Sequence, residues 1–221
     1  TINNLNLIKK EIQYKISKLN YLNYNPRIIA ICKTFPISDV LPLINHGHIH
    51  FGENKVQESI EKWTDIKNDF KNIKLHMVGK LQTNKAKKAV NLFDYIHSLD
   101  SAKLATRISQ YEKELNKKTK IFIQVNLADE RQKSGILLNE LYNFYAYCSK
   151  ELSLNIIGLM CLPPFDSNSQ EYFKTLRETS ERLKLKELSM GMSTDFEHAI
   201  LNGSTYLRIG TLILGKRKST N

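Results

Sequence analysis

The chain has 221 residues, of which 41% are hydrophobic and 25% charged, a balance that suits one globular domain with a substantial core. Its apolar runs are too short to cross a bilayer and residues 1–25 lack the layout of a signal peptide, so we expect a cytosolic protein. The formal net charge of +11 raises the question of nucleic acid, but the lysines are spread along the whole chain, which disfavours that ligand.

Helical and extended patterns alternate from the start of the chain. Apolar residues at helical spacing predict an amphipathic helix over residues 2–22. Ile28 to Cys32 is apolar on both faces, as in a parallel strand covered by helices, and Lys33 follows it. Further strands are predicted over residues 48–52, 73–78, 93–97, 120–126, 155–161, 188–192 and 206–209. The first helix between strands is predicted from the caps Ser38 and Asp39 to residue 45, and the next one ends at Trp63. Another helix begins at Asp100 and Ser101. The remaining helices are predicted over residues 82–91, 137–150, 170–186 and 195–201.

About eight strands separated by helices predict an α/β fold, a closed (β/α)8 TIM barrel with an extra N-terminal helix. An open doubly wound sheet is the alternative. The first predicted strand is not followed by a GxGxxG fingerprint, and no proline- or serine-rich linker divides the chain. We therefore expect a single domain over residues 1–221.

The barrel predicts that residues at the carboxyl end of each strand meet in one pocket. Lys33 would bring an amine to that pocket, where partial desolvation lowers a lysine pKa and favours attack on carbonyl groups. The alternative is a lysine that merely extends to solvent at a strand end. The other residues expected at this mouth are Glu53, Asn54, His76, Gly79, Ser98, Asn126, Met160, Met192, Ser193, Arg208, Gly210 and Thr211.

Two segments have the composition of a phosphate site. Residues 191–194 lead into a helix after the seventh strand and residues 208–211 follow the eighth, the positions where barrels commonly hold phosphate. The hydroxyls of Ser193 and Thr211 add donors, and Gly210 permits a close backbone approach. Ordinary helix caps and a turn glycine are the alternative explanation.

A phosphate site that faces a lysine across a barrel mouth is what pyridoxal 5'-phosphate requires, because its aldehyde condenses with the amine while its phosphate anchors the far end. Arg208 would lie near the ring, where a positive charge facing the pyridine nitrogen makes the cofactor a weak electron sink. The phosphate itself and the carboxylate of Asp195 are the other partners open to Arg208.

The histidines leave a second set of alternatives. His76 lies in an otherwise apolar strand, where a histidine is more often a satisfied core residue than a pocket residue that contacts a cofactor. His46, His48 and His50 have an alternate spacing, but no carboxylate or cysteine pattern accompanies them, so no metal site is predicted. The three cysteines, Cys32, Cys148 and Cys161, lack a paired spacing and are expected to be buried thiols.

With these residues in view, the chain resembles the pyridoxal phosphate homeostasis proteins, the YggS/PROSC-like family of fold-type III proteins. The likeness runs from about residue 28 to residue 215. It rests on the segments AICKTFP (30–36), FGENKVQE (51–58), HMVGKLQTNK (76–85), KSGI (133–136), GLMCLPP (158–164), SMGMSTD (189–195) and GSTYLRIGT (203–211).

The resemblance implies a barrel like the N-terminal domain of alanine racemase, with Lys33 as the Schiff-base lysine. It further implies that Asn54 and His76 line the pocket and that the cofactor is held by Ser193, Arg208, Gly210 and Thr211, next to Met192. The implied function is to carry or buffer pyridoxal phosphate in vitamin B6 homeostasis. The protein would be a cytosolic monomer that supplies apoenzymes, with no catalytic residue, metal, membrane or nucleic acid involved.

The chain departs from the family pattern at Cys32, Phe35, Leu75 and Leu214. It also ends soon after the last predicted strand, so the resemblance implies that the further β-domain and second base of alanine racemases are missing. A pyridoxal phosphate-dependent racemase or other enzyme stays the main alternative, and a binder of nucleic acid or anionic surfaces is a third. The sequence leaves open whether a second anion site or a solvated helix face is formed by Lys80, Lys85, Lys87 and Lys88.

Overall fold

A computed structural model describes residues 1–19, 23–128, 134–164 and 168–216. Short parallel strands alternate with helices along the chain. The strands are β1 (Arg27–Ile31), β2 (His50–Glu53), β3 (Lys74–Met77), β4 (Tyr95–Leu99), β5 (Lys120–Asn126), β6 (Ile136–Leu137), β7 (Ile156–Met160), β8 (Glu187–Met192) and β9 (Tyr206–Ile209). The helices are α1 (Ile2–Ser17), α2 (Ile37–Asn45), α3 (Val56–Asp69), α4 (Ala86–Leu92), α5 (Ala102–Glu114), α6 (Leu138–Ala146), α7 (Ser169–Arg182), α8 (Phe196–Leu201) and α9 (Thr211–Leu214).

The strands close on themselves. The spatial order is β4-β3-β2-β1-β9-β8-β7-β5, and a further pairing of β4 with β5 completes the ring. Every pairing is parallel, from Ala30 opposite Phe51 to Arg27 opposite Tyr206, and the short β6 attaches to β5 outside the ring. The predicted (β/α)8 barrel is therefore confirmed, and the open doubly wound sheet is wrong.

The hydrophobic core has two layers, one on each face of the barrel strands. A large outer layer lies between the strands and the helices, and a small inner cluster fills the barrel with Ile29, Ile31, Tyr95, Phe122, Met160 and Tyr206. None of the helices in the described part of the chain is both long and apolar enough to span a membrane.

The extra N-terminal helix is also confirmed. Helix α1 buries Leu5, Ile8, Ile12 and Ile16, which recur at the spacing of one helix face. It packs against α8 and α9, and the Asn4 side-chain amide donates to the carbonyl of Ile213 at 3.1 Å. Its position beside the last two helices brings the start of the chain against the final segment of the barrel.

The helix ends agree only in part with the sequence prediction. Helix α1 ends at Ser17, and residues 20–22 of its predicted C-terminal end lie outside the described residues. Helix α2 begins at Ile37 with Pro36 at its N-cap in extended conformation, so the prediction that Ser38 and Asp39 cap it is wrong. The predicted cap Ser101 is confirmed, since its hydroxyl accepts from the backbone N–H of Leu104 at 3.3 Å.

The two elements absent from the prediction, β6 and α9, are two and four residues long. A hydrophobic period cannot be recognised over so few residues. The predicted helix over residues 137–150 is present as α6 followed by a π-helical turn, Tyr147–Glu151.

Candidate functional site

The carboxyl ends of the barrel strands surround a cavity of about 830 Å³, within the size range of small-molecule sites. Its wall contains most of the residues that the sequence assigns to a cofactor site: Lys33, Asn54, Met192, Ser193, Arg208, Gly210 and Thr211. The remaining described lining residues are Ile31, Phe35, Val78, Gly79, Lys80, Gln124, Val125, Asn126, Ser134, Leu162, Pro163 and Thr194.

A sharp turn directly after β1 places Lys33 in this wall. Thr34 has a φ of +69°, in the left-handed region that β-branched residues rarely adopt. Such a residue costs on the order of 1–3 kcal/mol and persists where the surrounding structure holds it. The turn is closed by the backbone N–H of Phe35, which donates to the carbonyl of Cys32 at 3.1 Å. The backbone strain thus lies immediately beside the predicted reactive lysine.

The ends of β8 and β9 are joined through Ser193, whose hydroxyl oxygen accepts from the backbone N–H of Gly210 at 3.2 Å. Helix α9 begins at the next residue, Thr211, and the first N–H groups of a helix have no partner within it. Three residues with hydroxyl groups, Ser193, Thr194 and Thr211, line the cavity. Backbone and hydroxyl donors of this kind suit the oxygens of an anion.

Arg208 is 5% exposed, and its guanidinium is held by two hydrogen bonds. It donates to the hydroxyl of Ser189 at 2.7 Å and to the carbonyl of Cys161 at 2.9 Å. Burial lowers the pKa of Arg208, and the nearby Asp195 carboxylate opposes that shift. That carboxylate accepts from the backbone N–H of Met192 at 2.6 Å, so it stabilises the turn that carries Ser193.

The charged side chains among the described wall residues are all positive. Lys33, Lys80 and Arg208 contribute cations, and none of the lining residues in the described ranges is an aspartate or glutamate. Positive groups in a partly enclosed site attract anionic ligands. The described wall is therefore suited to a small anion.

His76 does not line the cavity, in contrast to its predicted role beside a cofactor. It is 0% exposed, and its ring nitrogens hydrogen-bond to the rings of His50 and His97 at 2.9 Å each. This placement favours the alternative that His76 is a satisfied core histidine. His46, His48 and His50 do not assemble a metal site either, since the described residues contain no cluster of three metal-binding side chains.

Of the other strand-end residues, Glu53, Ser98 and Met160 lie outside the cavity wall and are buried. Glu53 is 1% exposed. Its carboxylate accepts from Lys62 Nζ at 2.7 Å and from the indole N–H of Trp63 at 2.9 Å. This ion pair connects the end of β2 to helix α3 beneath the cavity.

We expect Lys62→Met to destabilise the protein by about 3–5 kcal/mol, because the methionine keeps the aliphatic volume but leaves the Glu53 carboxylate buried without its cation. Urea unfolding at neutral pH measures the loss. The control is Lys55→Met, which removes the exposed ion pair with Glu58 and should cost about 1 kcal/mol or less. Equal losses in the two variants would contradict the structural role of the buried pair.

The cysteine prediction is confirmed, since Cys32, Cys148 and Cys161 are free and buried. Burial raises the pKa of the Cys32 thiol well above its usual range, and this thiol packs in the outer core rather than in the cavity wall.

The basic stretch over residues 80–88 is divided between two environments. Lys80 lines the cavity, whereas Lys87 and Lys88 contact Glu114 and Gln57 on the outer surface.

Several lining residues were not assigned to the cofactor site from the sequence, among them Lys80 and Gln124. Gln124 lies two residues before Asn126, at the end of β5, so the two-residue period of a strand would have placed both on one face. Of the quoted motifs, Lys133 in the KSGI segment lies outside the described residues.

Comparison with known proteins identifies relatives of the chain. Residues 9–218 match the family model for the N-terminal domain of alanine racemase. The chain is 34% identical to the pyridoxal phosphate homeostasis protein of Haemophilus influenzae over 97% of this chain and 94% of that one. It is 36% identical to the protein of that name from Aquifex aeolicus, with 87% of each chain covered. The structure of PipY from Synechococcus elongatus with pyridoxal phosphate bound superposes with a TM-score of 0.81 at 34% identity, covering 92% of this chain and 100% of that one.

Proposed function

From the premise that this chain belongs to the pyridoxal phosphate homeostasis protein family, we propose that it binds pyridoxal 5'-phosphate in the cavity at the carboxyl ends of its strands. The observation that carries the proposal is the composition of that cavity wall. Two lysine amines, a set of anion-binding donors and a buried arginine converge there, with no acidic residue among the described lining residues. The bound cofactor is buffered and made available to apoenzymes.

The residues of the wall fit the cofactor group by group. Ser193, Gly210 and Thr211 would hold the phosphate, since hydroxyl and backbone donors lie together at the ends of β8 and β9. Lys33 would hold the aldehyde end. When bound, the cofactor supplies an aldehyde that condenses reversibly with an amine. Reversible attachment is what a protein that buffers the cofactor needs.

The remaining wall residues orient the ligand and exclude water. Ile31, Val78 and Leu162 offer apolar surface around the polar groups, as small-molecule sites usually do. Arg208 keeps its guanidinium fixed through Ser189 and the Cys161 carbonyl. A fixed positive charge beside the pyridine ring disfavours protonation of the ring nitrogen, which restrains carbanion chemistry and suits a carrier.

The alternative of an amino-acid racemase has weaker support. It rests on the fold shared with the N-terminal domain of alanine racemase. Two-base racemisation needs a second proton donor opposite the lysine. In the described ranges, the cavity wall contains no histidine, tyrosine or carboxylate that could take that role.

The proposal is tested by comparing pyridoxal phosphate with pyridoxal, which has the same aldehyde but no phosphate. We expect pyridoxal phosphate to bind at one molecule per chain and at least about tenfold more tightly, because charge-assisted hydrogen bonds contribute roughly 1.5–3 kcal/mol each. Absorbance titration measures both affinities. Equal affinity for the two compounds would contradict the assigned phosphate site, and a chain that binds neither would overturn the proposed function.

Supply to apoenzymes and action as a monomer in the cytosol belong to the same proposal. The similarity to proteins named for pyridoxal phosphate homeostasis supports the first of these. Transfer is measured by mixing the loaded protein with a pyridoxal phosphate-dependent apoenzyme and following recovery of its activity. Sedimentation of the loaded and unloaded protein measures the oligomeric state.

A further inference from the structure

A line of hydrogen-bonded polar side chains crosses the inside of the barrel, outside the cavity wall described above. His50 Nδ1 lies 2.9 Å from His76 Nε2, and His76 Nδ1 lies 2.9 Å from His97 Nε2. His97 Nδ1 lies 2.8 Å from the hydroxyl of Ser189, which in turn accepts from Arg208 at 2.7 Å. We call His50, His76, His97 and Ser189 the histidine relay.

The relay connects the two ends of the barrel. His50 is the first residue of β2, so it lies toward the amino-terminal end of the strands and is partly exposed. His76, His97 and Ser189 are 0% exposed. At the other end of the relay Arg208 lines the cavity, so the line of contacts runs from the opposite mouth of the barrel to the proposed cofactor site.

The direction of the hydrogen bonds follows from the arginine. A guanidinium is only a donor, so the Ser189 oxygen must accept from Arg208. The Ser189 hydroxyl hydrogen then has one described partner left to accept it, His97 Nδ1. If His97 Nδ1 carried the proton instead, the buried hydroxyl hydrogen would have no acceptor among the described contacts, which is costly.

The direction of these hydrogen bonds determines which nitrogen of each histidine ring carries the proton. His97 accepts at Nδ1, so as a neutral ring it carries its proton at Nε2 and donates to His76 Nδ1. By the same reasoning His76 carries its proton at Nε2 and donates to His50 Nδ1. All hydrogen bonds of the relay therefore run away from Arg208, and reversing one of them requires reversing the others.

Packing keeps the rings neutral and in place. The His76 ring stacks on Tyr95 with centroids 4.2 Å apart, and the His97 ring stacks on Phe122 at 4.3 Å. Burial lowers the pKa of His76 and His97 well below the usual histidine value, and lowers that of His50 to about 4. Each ring thus has one proton at neutral pH, as the single direction requires.

We propose that the histidine relay is a positioning device for Arg208, through which a change at His50 alters the hydrogen bonding of Arg208 in the cavity wall. Its consequence for cofactor affinity rests on the proposed function. The simpler alternative is a set of core side chains that satisfy one another locally. The two explanations predict different effects of a substitution. If the side chains only satisfy the hydrogen bonds of their direct neighbours, a substitution affects the adjacent ring and no other.

The tautomers are measured first, in the ligand-free protein, by long-range ¹H–¹⁵N correlation spectra of the histidine rings. We expect His50, His76 and His97 all to be neutral with the proton at Nε2. A proton at Nδ1 of His97 or His76 would overturn the relay. This measurement needs no cofactor, so it decides the relay even if pyridoxal phosphate does not bind.

Propagation is tested with two substitutions of His50. His50→Phe keeps a ring but removes the acceptor for His76 Nε2–H, so we expect the tautomer populations of both His76 and His97 to change. In His50→Asn the side-chain oxygen lies near the position of Nδ1, and we expect the wild-type spectra of both rings to return. A change confined to His76 in the phenylalanine variant, or no recovery in a folded asparagine variant, would overturn the proposal.

Substitutions of two buried serines test the end of the histidine relay that contacts Arg208. Ser189→Ala removes the hydroxyl between His97 and Arg208, so the guanidinium loses one of its two described hydrogen bonds. Pyridoxal phosphate binding should then weaken about two- to tenfold. Ser98→Ala is the control, because Ser98 is as buried and its hydroxyl has no hydrogen-bond partner among the described residues. We expect the His50→Phe variant to weaken binding in the same range. Equal affinity in Ser189→Ala, Ser98→Ala and the parent would overturn the proposal.

Discussion

Replacing Lys33 with alanine is expected to abolish covalent attachment of pyridoxal phosphate to the protein. Lys33 lies in the cavity wall at the end of β1, and its amine is the group assigned to the cofactor aldehyde. In the parent, borohydride reduction followed by peptide mapping should place one label on Lys33. In Lys33→Ala the label should disappear and the affinity should fall at least about a hundredfold, since the covalent bond no longer contributes.

Lys80 provides the control for this experiment because it is a second amine in the same wall. Lys80→Ala should keep the label on Lys33, even where the loss of a nearby cation weakens binding. The assignment fails if the label persists in Lys33→Ala, or if it maps to Lys80 in the parent. A cofactor that binds tightly without any reducible linkage would contradict it as well.

The same variant separates a carrier from an enzyme. A racemase that uses Lys33 as its only base would turn over an amino acid in the parent and lose that activity in Lys33→Ala. A carrier shows no steady turnover in either protein but loses the ability to reactivate an apoenzyme when Lys33 is removed. Measuring racemisation and apoenzyme recovery on the same two samples therefore distinguishes the functions.

The barrel could be predicted because several of its strands are largely apolar and the helices between them are long enough to show a period. The strand over residues 120–126 and the last strand over 206–209 were predicted with the bounds that the structure gives them. The very short elements β6 and α9 could not be predicted, since their formation depends on the neighbouring strands rather than on local pattern.

The candidate site, like the fold, could be predicted from the sequence only in part. Lys33, Ser193 and Gly210 follow strand ends, and parallel strands bring such positions together in any closed barrel. The sequence left the role of His76 open, because a single strand does not reveal its neighbours inside the barrel. Its partner His97 is 21 residues away along the chain, and only the register between strands brings the two rings together.

Acidification is expected to lower the free energy of unfolding between about pH 6.5 and pH 4. Burial lowers the pKa of His48 and His50 to about 4 and lowers those of His76 and His97 well below the usual histidine value. Below pH 6.5 the unfolded chain binds protons on these rings and the folded protein does not, so stability falls with pH until the folded values are reached. For His48, which is 9% exposed, the loss is about 3 kcal/mol over this window.

The other buried rings act in the same direction, each by up to about 1.4 kcal/mol per pH unit. Urea unfolding at pH 7, 5.5 and 4.5 should show a steep decline. His48→Gln should flatten that decline, whereas His46→Gln, at an exposed position of the same segment, should not. A stability that stays constant from pH 7 to 4.5 would mean that the rings are charged or hydrated in the folded protein, which would also remove the basis for a neutral relay.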